Sequence, residues 1–332
     1  MNAHGVSNKL IAPLTEEQLP GKERFKACVL SFFDGMHHHH QQLLAHGSNL
    51  CDADRSKLLV IMAHTENTPT YTPGRQEVLL TPGERIQMLL GMGYEHVLPW
   101  AVPHHHQGAA HIDWPAGAAI MDEKTDKLVP GADIWTNPHF KRLVEQTRKQ
   151  QPGLTQKTDN SFFGQTSHEH EMITNMIASG EVAATMEKLG YAYPLGGHVV
   201  EGNKIGRTLG YPTANLRVAH VDKVIPGQGV YVALVQVEGH WHQAMVNIGI
   251  RPTLDMENVT IEANLFNFNK DIYGQWITIG FLSRIRDEMR FSSLAALKNQ
   301  LDRDRENAKD VLRQLVPQTT TGDFVTAAIK WS

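Results

Sequence analysis

The chain has 332 residues, with 31 Lys and Arg against 35 Asp and Glu, which gives a formal net charge of −4. At about 150 residues per domain this length predicts two domains. A hydrophobic content of 41% with 20% charged residues excludes a largely disordered chain. The near-neutral charge argues against a nucleic-acid partner, which needs a basic face.

Cysteine and histidine counts narrow the class further. Two cysteines are too few for a disulfide framework and favour a cytoplasmic protein. No apolar run reaches the roughly 18 residues of a membrane helix, so we expect no membrane partner. Of the 19 histidines, 15 lie before residue 190, and this asymmetry needs a local explanation.

The chain begins with a pattern of alternating strands and helices. Residues 25–33 form an apolar run that ends at the turn pair Asp34-Gly35. Residues 41–46 have helical character, and residues 57–63 form a second apolar run of strand length. This order is typical of a parallel α/β sheet whose functional loop follows the first strand.

The pattern continues and then breaks down. Residues 81–92 predict a helix that opens with Thr-Pro-x-Glu, and residues 95–100 predict a third strand. From residue 103 to about 166 the periodicity is lost, apart from a helical patch at 138–150, which predicts a long irregular insertion. Residues 169–188 are helical again.

The composition and the pattern of the sequence change near residue 194. Residues 190–197 are rich in Gly and Pro and are interpreted as a linker between domains spanning 1–193 and 194–332. The second domain predicts a small antiparallel barrel with a C-terminal amphipathic helix. Its predicted strands are 229–237, 241–248, 260–266 and 276–282, and its helix is 293–315.

The segment GNKIGRTLGYPTAN at 202–215 carries the most chemistry. Glycines interleaved with cations suit a loop whose backbone amides meet phosphate, although a structural turn fits a glycine-rich loop equally well. These residues are Gly202, Lys204, Gly206, Arg207 and Gly210. Thr213 and Asn215 lie two residues apart, so in an extended chain their oxygens share one face and can hold Mg²⁺.

This segment resembles the signature of the riboflavin kinase family. The likeness continues through PGQGVYVALV, VNIGIRPTL and IEANLFNFNKDIYGQ, and covers residues 195–315. The resemblance implies a β-barrel that transfers the γ-phosphoryl group of ATP to riboflavin, giving FMN and ADP. It also implies that Thr213 and Asn215 bind Mg²⁺ and phosphate, while residues 202–210 line the nucleotide site.

The resemblance assigns the catalytic carboxylate to Glu262, which would accept the proton of the ribityl hydroxyl. Glu262 lies in the alternating run VTIEANLF, where a solvent-facing strand residue is the alternative interpretation. Arg286, Asp287 and Phe291 resemble the family's loop beside the flavin, and the alternative there is a solvated helix cap.

The first domain resembles the FMN adenylyltransferase that precedes the kinase in many bacterial members, with a Rossmann-like nucleotidyltransferase fold. The match rests on FDGMH at 33–37, which includes Asp34 and Gly35, and on residues 81–99. The resemblance places His37 and His40 against the phosphates of ATP. His39 replaces a glycine of the family, and its imidazole should crowd the site.

A second departure affects phosphate binding. Residues 169–174, EHEMIT, stand where the family has SSTxIR, so carboxylates replace hydroxyls and Thr174 replaces an arginine. The family's DFxFG loop has no counterpart between 100 and 166. We therefore expect the fold to be kept and adenylyltransferase activity to be lost or greatly weakened. A fully bifunctional enzyme that tolerates these changes is the alternative.

The histidines suggest a further hypothesis. In the family fold, the positions of His37, His39, His40, His168 and His170 meet at one cleft. Imidazoles with carboxylates beside them suit a transition metal such as Zn²⁺ or Ni²⁺, whereas solvated polar loops are the plainer interpretation. A flavin- or metal-responsive binding protein, without turnover, is the alternative from another functional class.

Overall fold

The computed structural model describes residues 25–65, 77–102, 127–130, 167–202, 205–252 and 257–315. The chain divides into two compact units, Met1–Pro73 with Thr81–Glu169, and Gly74–Leu80 with His170–Ser332. In the ranges given above, every helix is too short or too polar to cross a membrane.

The first unit contains a four-stranded parallel sheet in the order β3-β2-β1-β4. Its strands are β1 (Ala27–Ser31), β2 (Leu58–Thr65), β3 (Val97–Val102) and β4 (Lys127–Pro130). Every residue of β1 is buried, which is typical of a parallel strand covered on both faces. The predicted strands at 25–33, 57–63 and 95–100 are confirmed.

Strand β4 lies inside the stretch predicted as an irregular insertion. It pairs in parallel with β1, with Val129 opposite Val29. Its four residues are too few to show a period in the sequence, so the prediction missed it. The helical patch predicted at 138–150 lies outside the described residues.

Two helices accompany this sheet, α1 (His38–Leu50) and α2 (Pro82–Gly91). Helix α2 begins with a capping box: Thr81 Oγ1 accepts from the Glu84 amide at 3.3 Å, and Glu84 Oε2 accepts from the Thr81 amide at 2.7 Å. The helix predicted at 81–92 is confirmed, and α1 extends well beyond the predicted 41–46.

The helical character predicted at 169–188 is confirmed, and it is divided between two helices. Helix α3 (Ser167–Ala178) ends before Gly180, whose φ of +86° only glycine adopts freely, and α4 (Val182–Leu189) follows. The break was not predicted, because one glycine in a helical pattern does not reveal its backbone conformation.

The second unit is built around a closed six-stranded antiparallel barrel in the order β10-β5-β6-β9-β8-β7. Its strands are β5 (Tyr193–Val200), β6 (Ala214–Val218), β7 (Gly229–Val237), β8 (His240–Pro252), β9 (Glu257–Leu265) and β10 (Trp276–Arg286). The four predicted strands are confirmed, whereas β6 was not predicted.

The predicted linker at 190–197 is wrong for most of its length, because strand β5 begins at Tyr193. This strand pairs with β10, with Gly197 opposite Ile277. A Cβ atom on Gly197 would lie 2.1 Å from the carbonyl oxygen of Arg217. The glycine therefore permits close packing of strands, a role that composition alone does not distinguish from flexibility. The boundary predicted between residues 193 and 194 stays a prediction.

The short helix α5 (Ile205–Thr208) and the long helix α6 (Leu294–Leu315) complete the unit. The α6 residues Ala308 and Leu312 pack in one buried cluster with Val232, Leu234 and Leu282 of the barrel. The amphipathic helix predicted at 293–315 is confirmed, and it covers one outer face of the barrel.

Candidate functional site

A row of polar side chains crosses three strands of the barrel. Asn215 on β6 and Asn247 on β8 are both directly opposite Glu262 on β9, which lies between them. Directly opposite residues of neighbouring strands project from the same face, so the three side chains share one surface. Glu262 is half-buried there.

The segment before β6 supplies a hydroxyl to this row. Thr213 Oγ1 donates to Glu262 Oε2 at 3.2 Å. The preceding residue is fixed independently, because Asn264 Nδ2 donates to the Pro212 carbonyl at 2.7 Å. The structure thus brings the predicted residues Thr213, Asn215 and Glu262 together, although they are up to 49 positions apart in the chain.

Two of the predicted glycines lie where a side chain has no room. A Cβ on Gly202 would be 2.2 Å from Asn215 Nδ2, and one on Gly206 would be 2.2 Å from the Tyr211 carbonyl oxygen. Gly210 meets no such neighbour, but its φ is +83°. At Gly206 the neighbouring atom belongs to the backbone, and at Gly210 the backbone has a positive φ, so both positions favour glycine, whereas at Gly202 the neighbour is the side chain of Asn215.

A cavity of about 370 Å³ opens beside this loop. The cavity is bordered by Arg207 and Thr213, by the apolar residues Ala263 and Leu265, and by the loop at 268–273. This combination of an apolar wall, a cation and a hydroxyl suits a ligand with a planar apolar part and an anionic part. Lys204, predicted with this group, lies outside the described residues.

A second cavity of about 460 Å³ shares part of that border, at Pro212, Leu265 and residues 268–269. Arg305 and Lys309 of α6 line its other side. The guanidinium of Arg305 lies 4.9 Å from the ring centroid of Tyr211, whose hydroxyl donates to Asp302. The pKa of Tyr211 is raised to about 12, mainly by burial of the hydroxyl and further by its hydrogen bond to Asp302.

The three residues predicted to bind flavin lie after β10 or at its end. Arg286 donates from Nε and Nη2 to the buried carboxylate of Asp304 at 2.7–3.0 Å, and its guanidinium lies 5.9 Å from the Phe291 ring. Asp287 is exposed and forms an ion pair with Arg284 at 3.0 Å. The next residue, Glu288, accepts from Asn247 Nδ2 at 3.4 Å and so joins the polar row.

In the first unit, the turn after β1 leads into a cluster of imidazoles. Gly35 has a φ of +85°, and His37, His39 and His40 that follow are almost fully buried. The rings of His37 and His40 have centroids 4.0 Å apart. His37 Nδ1 lies 2.8 Å from Glu169 Oε2, and the hydrogen bond with His37 is the main cause that lowers the pKa of Glu169.

Asp34 is held by a cation that the sequence interpretation did not single out. Arg85 on α2 is buried, pairs with Asp34 through Nη2 at 3.3 Å, and donates from Nη1 to the Phe32 carbonyl at 3.2 Å. Leu89, one turn along α2, is buried on the same face of the helix. A cation in line with an apolar helix face is the sequence signal for such a role.

The structure lends no support to the metal hypothesis. Among the side chains that it describes, no three from His, Cys, Asp and Glu are arranged to hold a metal ion. The ring centroids of His37, His39 and His40 are 4.0–6.4 Å apart, and His170 is half-buried on α3. The side chain of His168 is outside the described part of the chain.

Two further residues of the second unit were missed from the sequence, Asn247 and Asp304. Asn247 carries no signal of its own, because only the strand register places it opposite Glu262. Asp304 did carry a signal: it lies three residues after Leu301 and four before Ala308, on the apolar stripe of the predicted helix. A carboxylate on that stripe predicts a buried partner.

Known proteins are similar in sequence to this chain in both units. The family model Flavokinase, described as riboflavin kinase, matches residues 189–312. The bifunctional riboflavin kinase/FMN adenylyltransferase of Bacillus subtilis (strain 168) is 28% identical over 298 residues, which cover 84% of this chain and 90% of that protein. The protein of the same name from Haemophilus influenzae is 38% identical over 138 residues, 41% of this chain and 44% of that protein.

A solved structure extends the likeness to the whole fold. The crystal structure named macrolide-efflux protein from Streptococcus pneumoniae matches with a TM-score of 0.69 and 28% identity, over 90% of this chain and 98% of that one. Over most of its length the chain is therefore similar to the bifunctional riboflavin kinase/FMN adenylyltransferases, and residues 189–312 match the riboflavin kinase family model.

Proposed function

We propose that this protein transfers the γ-phosphoryl group of ATP to the terminal ribityl hydroxyl of riboflavin, and that Glu262 is the base. The observation that carries the proposal is the position of Glu262 within the riboflavin kinase domain. Its carboxylate is half-buried, accepts a hydrogen bond from Thr213, and lies between the strands that carry Asn215 and Asn247.

The 370 Å³ cavity is the proposed nucleotide site. Its apolar wall at Ala263 and Leu265 suits a base, and Arg207 and Thr213 suit the phosphates at the other end. Gly202, Gly206 and Gly210 carry no Cβ, which suits a loop whose main-chain amides would approach the phosphates closely.

Magnesium fits the same residues. Mg²⁺ prefers oxygen ligands, and Thr213 and Asn215 present a hydroxyl and an amide oxygen beside the Glu262 carboxylate. When bound with ATP, the ion neutralises charge on the phosphates. Thr213 and Asn215 would hold it, together with phosphate oxygens.

Glu262 then acts on the nucleophile. The ribityl oxygen forms a bond to the γ-phosphorus, the bond between that phosphorus and the β,γ-bridging oxygen breaks, and ADP leaves. Glu262 accepts the proton that the hydroxyl loses, so that charge is balanced in the product FMN. The loop at 286–291, with Asp287 and Phe291, is proposed to lie against the flavin.

For the first unit we propose a nucleotidyltransferase fold with lost or greatly weakened adenylyltransferase activity, within a domain at 1–193. Buried His39 stands beside His37 and His40, and Glu169 brings negative charge within 2.8 Å of His37. A carboxylate at that place opposes the binding of a triphosphate. The kinase would occupy 194–332, and both domains would act in the cytoplasm.

Full bifunctionality is the second candidate, and one observation favours it. The B. subtilis relative named for both activities aligns over 84% of this chain, so the likeness includes the first unit. The two candidates differ in one product, because only the bifunctional enzyme forms FAD and pyrophosphate from FMN and ATP.

The experiment is product analysis on the full chain with riboflavin, ATP and Mg²⁺. The proposal expects FMN and ADP in equal amounts, with little FAD. Absence of FMN would contradict the kinase proposal, and FAD formed as fast as FMN would favour the bifunctional candidate instead.

A further inference from the structure

We propose that Asp304 is a positioning residue for the flavin: through Arg286 it fixes the loop at 286–291 in the conformation that receives riboflavin. This inference rests on the proposed kinase function. It gives Asp304, which lies on α6 and is remote in sequence from the Gly202–Asn215 motif, a part in substrate recognition without contact to the substrate.

The contacts of Asp304 are saturated. Arg286 Nε lies 3.0 Å from both carboxylate oxygens, and Arg286 Nη2 lies 2.7 Å from Oδ2. Gln300, one turn earlier on α6, donates from Nε2 to Oδ1 at 2.8 Å. Asp304 has no exposed surface, so protein donors alone satisfy its charge.

Arg286 also contacts other residues of the loop at 286–291. Its third nitrogen, Nη1, donates to the Asp287 carbonyl at 2.8 Å, and its guanidinium lies 5.9 Å from the ring of Phe291. One side chain therefore ties the buried helix face to the main chain at one end of the loop and to an aromatic ring at the other. Without the carboxylate, the guanidinium would keep only the Asp287 carbonyl and the Phe291 ring from this set of contacts, and both belong to the loop itself.

The loop in turn reaches the reaction centre. Glu288 accepts a hydrogen bond from Asn247, which is directly opposite Glu262 on the neighbouring strand. A Cβ on Gly249 would lie 2.4 Å from Glu288 Oε1, so the carboxylate is packed against the strand backbone. A displacement of the loop would therefore alter the surface on which the ribityl chain must lie.

The location of the ion pair argues for positioning over stabilisation. Asp304 lies on the apolar stripe of α6 between Leu301 and Ala308, whose side chains pack in or against the buried cluster shared with the barrel. Buried ion pairs commonly stabilise a fold no better than apolar replacements of similar size. What an apolar residue would not supply is the fixed direction of two parallel hydrogen bonds to a guanidinium.

The test is a steady-state kinetic comparison on the full chain with riboflavin and ATP varied separately. Asp304→Asn keeps the size and removes the charge, and Asp310→Asn on the exposed side of α6 is the matched control. We expect Asp304→Asn to raise KM for riboflavin at least about tenfold while KM for ATP stays within about twofold. Asp310→Asn should leave both constants unchanged.

A second variant keeps the test decisive if Asp304→Asn does not fold. Arg286→Lys retains the charge opposite Asp304 but loses the paired donors, and it should raise KM for riboflavin selectively by a smaller factor. A riboflavin KM unchanged from wild type, or equal rises in both KM values, would overturn the inference. A wild-type chain that forms no FMN would overturn the proposed function itself, so the two failures are distinct.

Discussion

Two carboxylates of the riboflavin kinase domain have environments that suit different tasks. Glu262 is half-buried and accepts a hydrogen bond from Thr213, a residue that lines the 370 Å³ cavity. Asp304 has no exposed surface and takes three side-chain donors from Arg286 and Gln300. A carboxylate that must accept a proton needs the first environment, and one that holds a guanidinium needs the second.

Glu262→Gln should lower kcat at least about a hundredfold, because the amide cannot accept the hydroxyl proton. Riboflavin binding should change little, since the amide keeps the size and polarity of the side chain. Turnover by product analysis and riboflavin affinity by fluorescence titration measure the two effects. Glu238→Gln, on an exposed turn, is the control for the same chemical change. Wild-type turnover in Glu262→Gln would show that another group is the base.

The raised pKa of Tyr211 predicts that the free energy of unfolding falls at alkaline pH. Burial and the bond to Asp302 raise its pKa to about 12 in the folded state, above the ordinary value of 10.0. The folded state therefore favours the neutral phenol, so this contribution is complete below pH 10.0 and is lost as pH rises towards about 12. Between pH 10.0 and about 12, the free energy of unfolding should fall more steeply with rising pH in the wild type than in Tyr211→Phe. Equal slopes there would contradict the assignment.

At the scale of elements, much of the fold could be predicted and the misses have physical causes. Continuous apolar runs revealed β1 to β3, because parallel strands are buried on both faces. Strand β5 was missed because Gly197 looked like a sign of flexibility, whereas it allows a neighbouring backbone to approach. Strand β4 was too short to show a period.

Some residues of the candidate site could be predicted from the sequence, and others could not. Motif resemblance predicted Thr213, Asn215 and Glu262 as site residues, and the structure brings these three residues together. It could not predict Asn247, whose place beside Glu262 depends on strand register. Nor could it predict that the guanidinium of Arg286 is engaged by Asp304, because that contact joins distant segments.

Gly197→Ala tests the interpretation of β5. The added Cβ would meet the Arg217 carbonyl oxygen at 2.1 Å, so a backbone group would have to move. We expect the free energy of unfolding to fall by about 2 kcal/mol or more, measured by urea denaturation. Gly83→Ala on α2 is the control, because nothing lies within 4 Å of its Cβ and it should be neutral or slightly stabilising. Equal effects of the two substitutions would contradict the close-approach argument.

At the scale of the whole molecule, the polar side chains that the two units bring together differ in chemistry. In the second unit, Thr213 borders a cavity that Arg207 also lines, and it donates a hydrogen bond to Glu262, which is directly opposite Asn215. The first unit keeps the strand, the Asp34-Gly35 turn and the helix start, yet places buried imidazoles and Glu169 after them. We propose that the first unit keeps the nucleotidyltransferase fold while the groups that would bind phosphate are replaced.

The first unit gives a prediction about FAD. With FMN, ATP and Mg²⁺, the full chain should form FAD far more slowly than it forms FMN from riboflavin, because His39 and Glu169 hinder a triphosphate. His39→Gly removes the crowding imidazole and should raise FAD formation, measured by chromatography with pyrophosphate release. Rates of FAD and FMN formation that match in the wild type would contradict this account.

The most direct test of the central claim is the wild-type reaction with riboflavin, ATP and Mg²⁺, compared with Glu262→Gln under the same conditions. The account predicts that the wild type forms FMN and ADP in equal amounts and that the variant forms neither at a comparable rate. A wild-type chain that binds riboflavin and ATP but yields no FMN would contradict it.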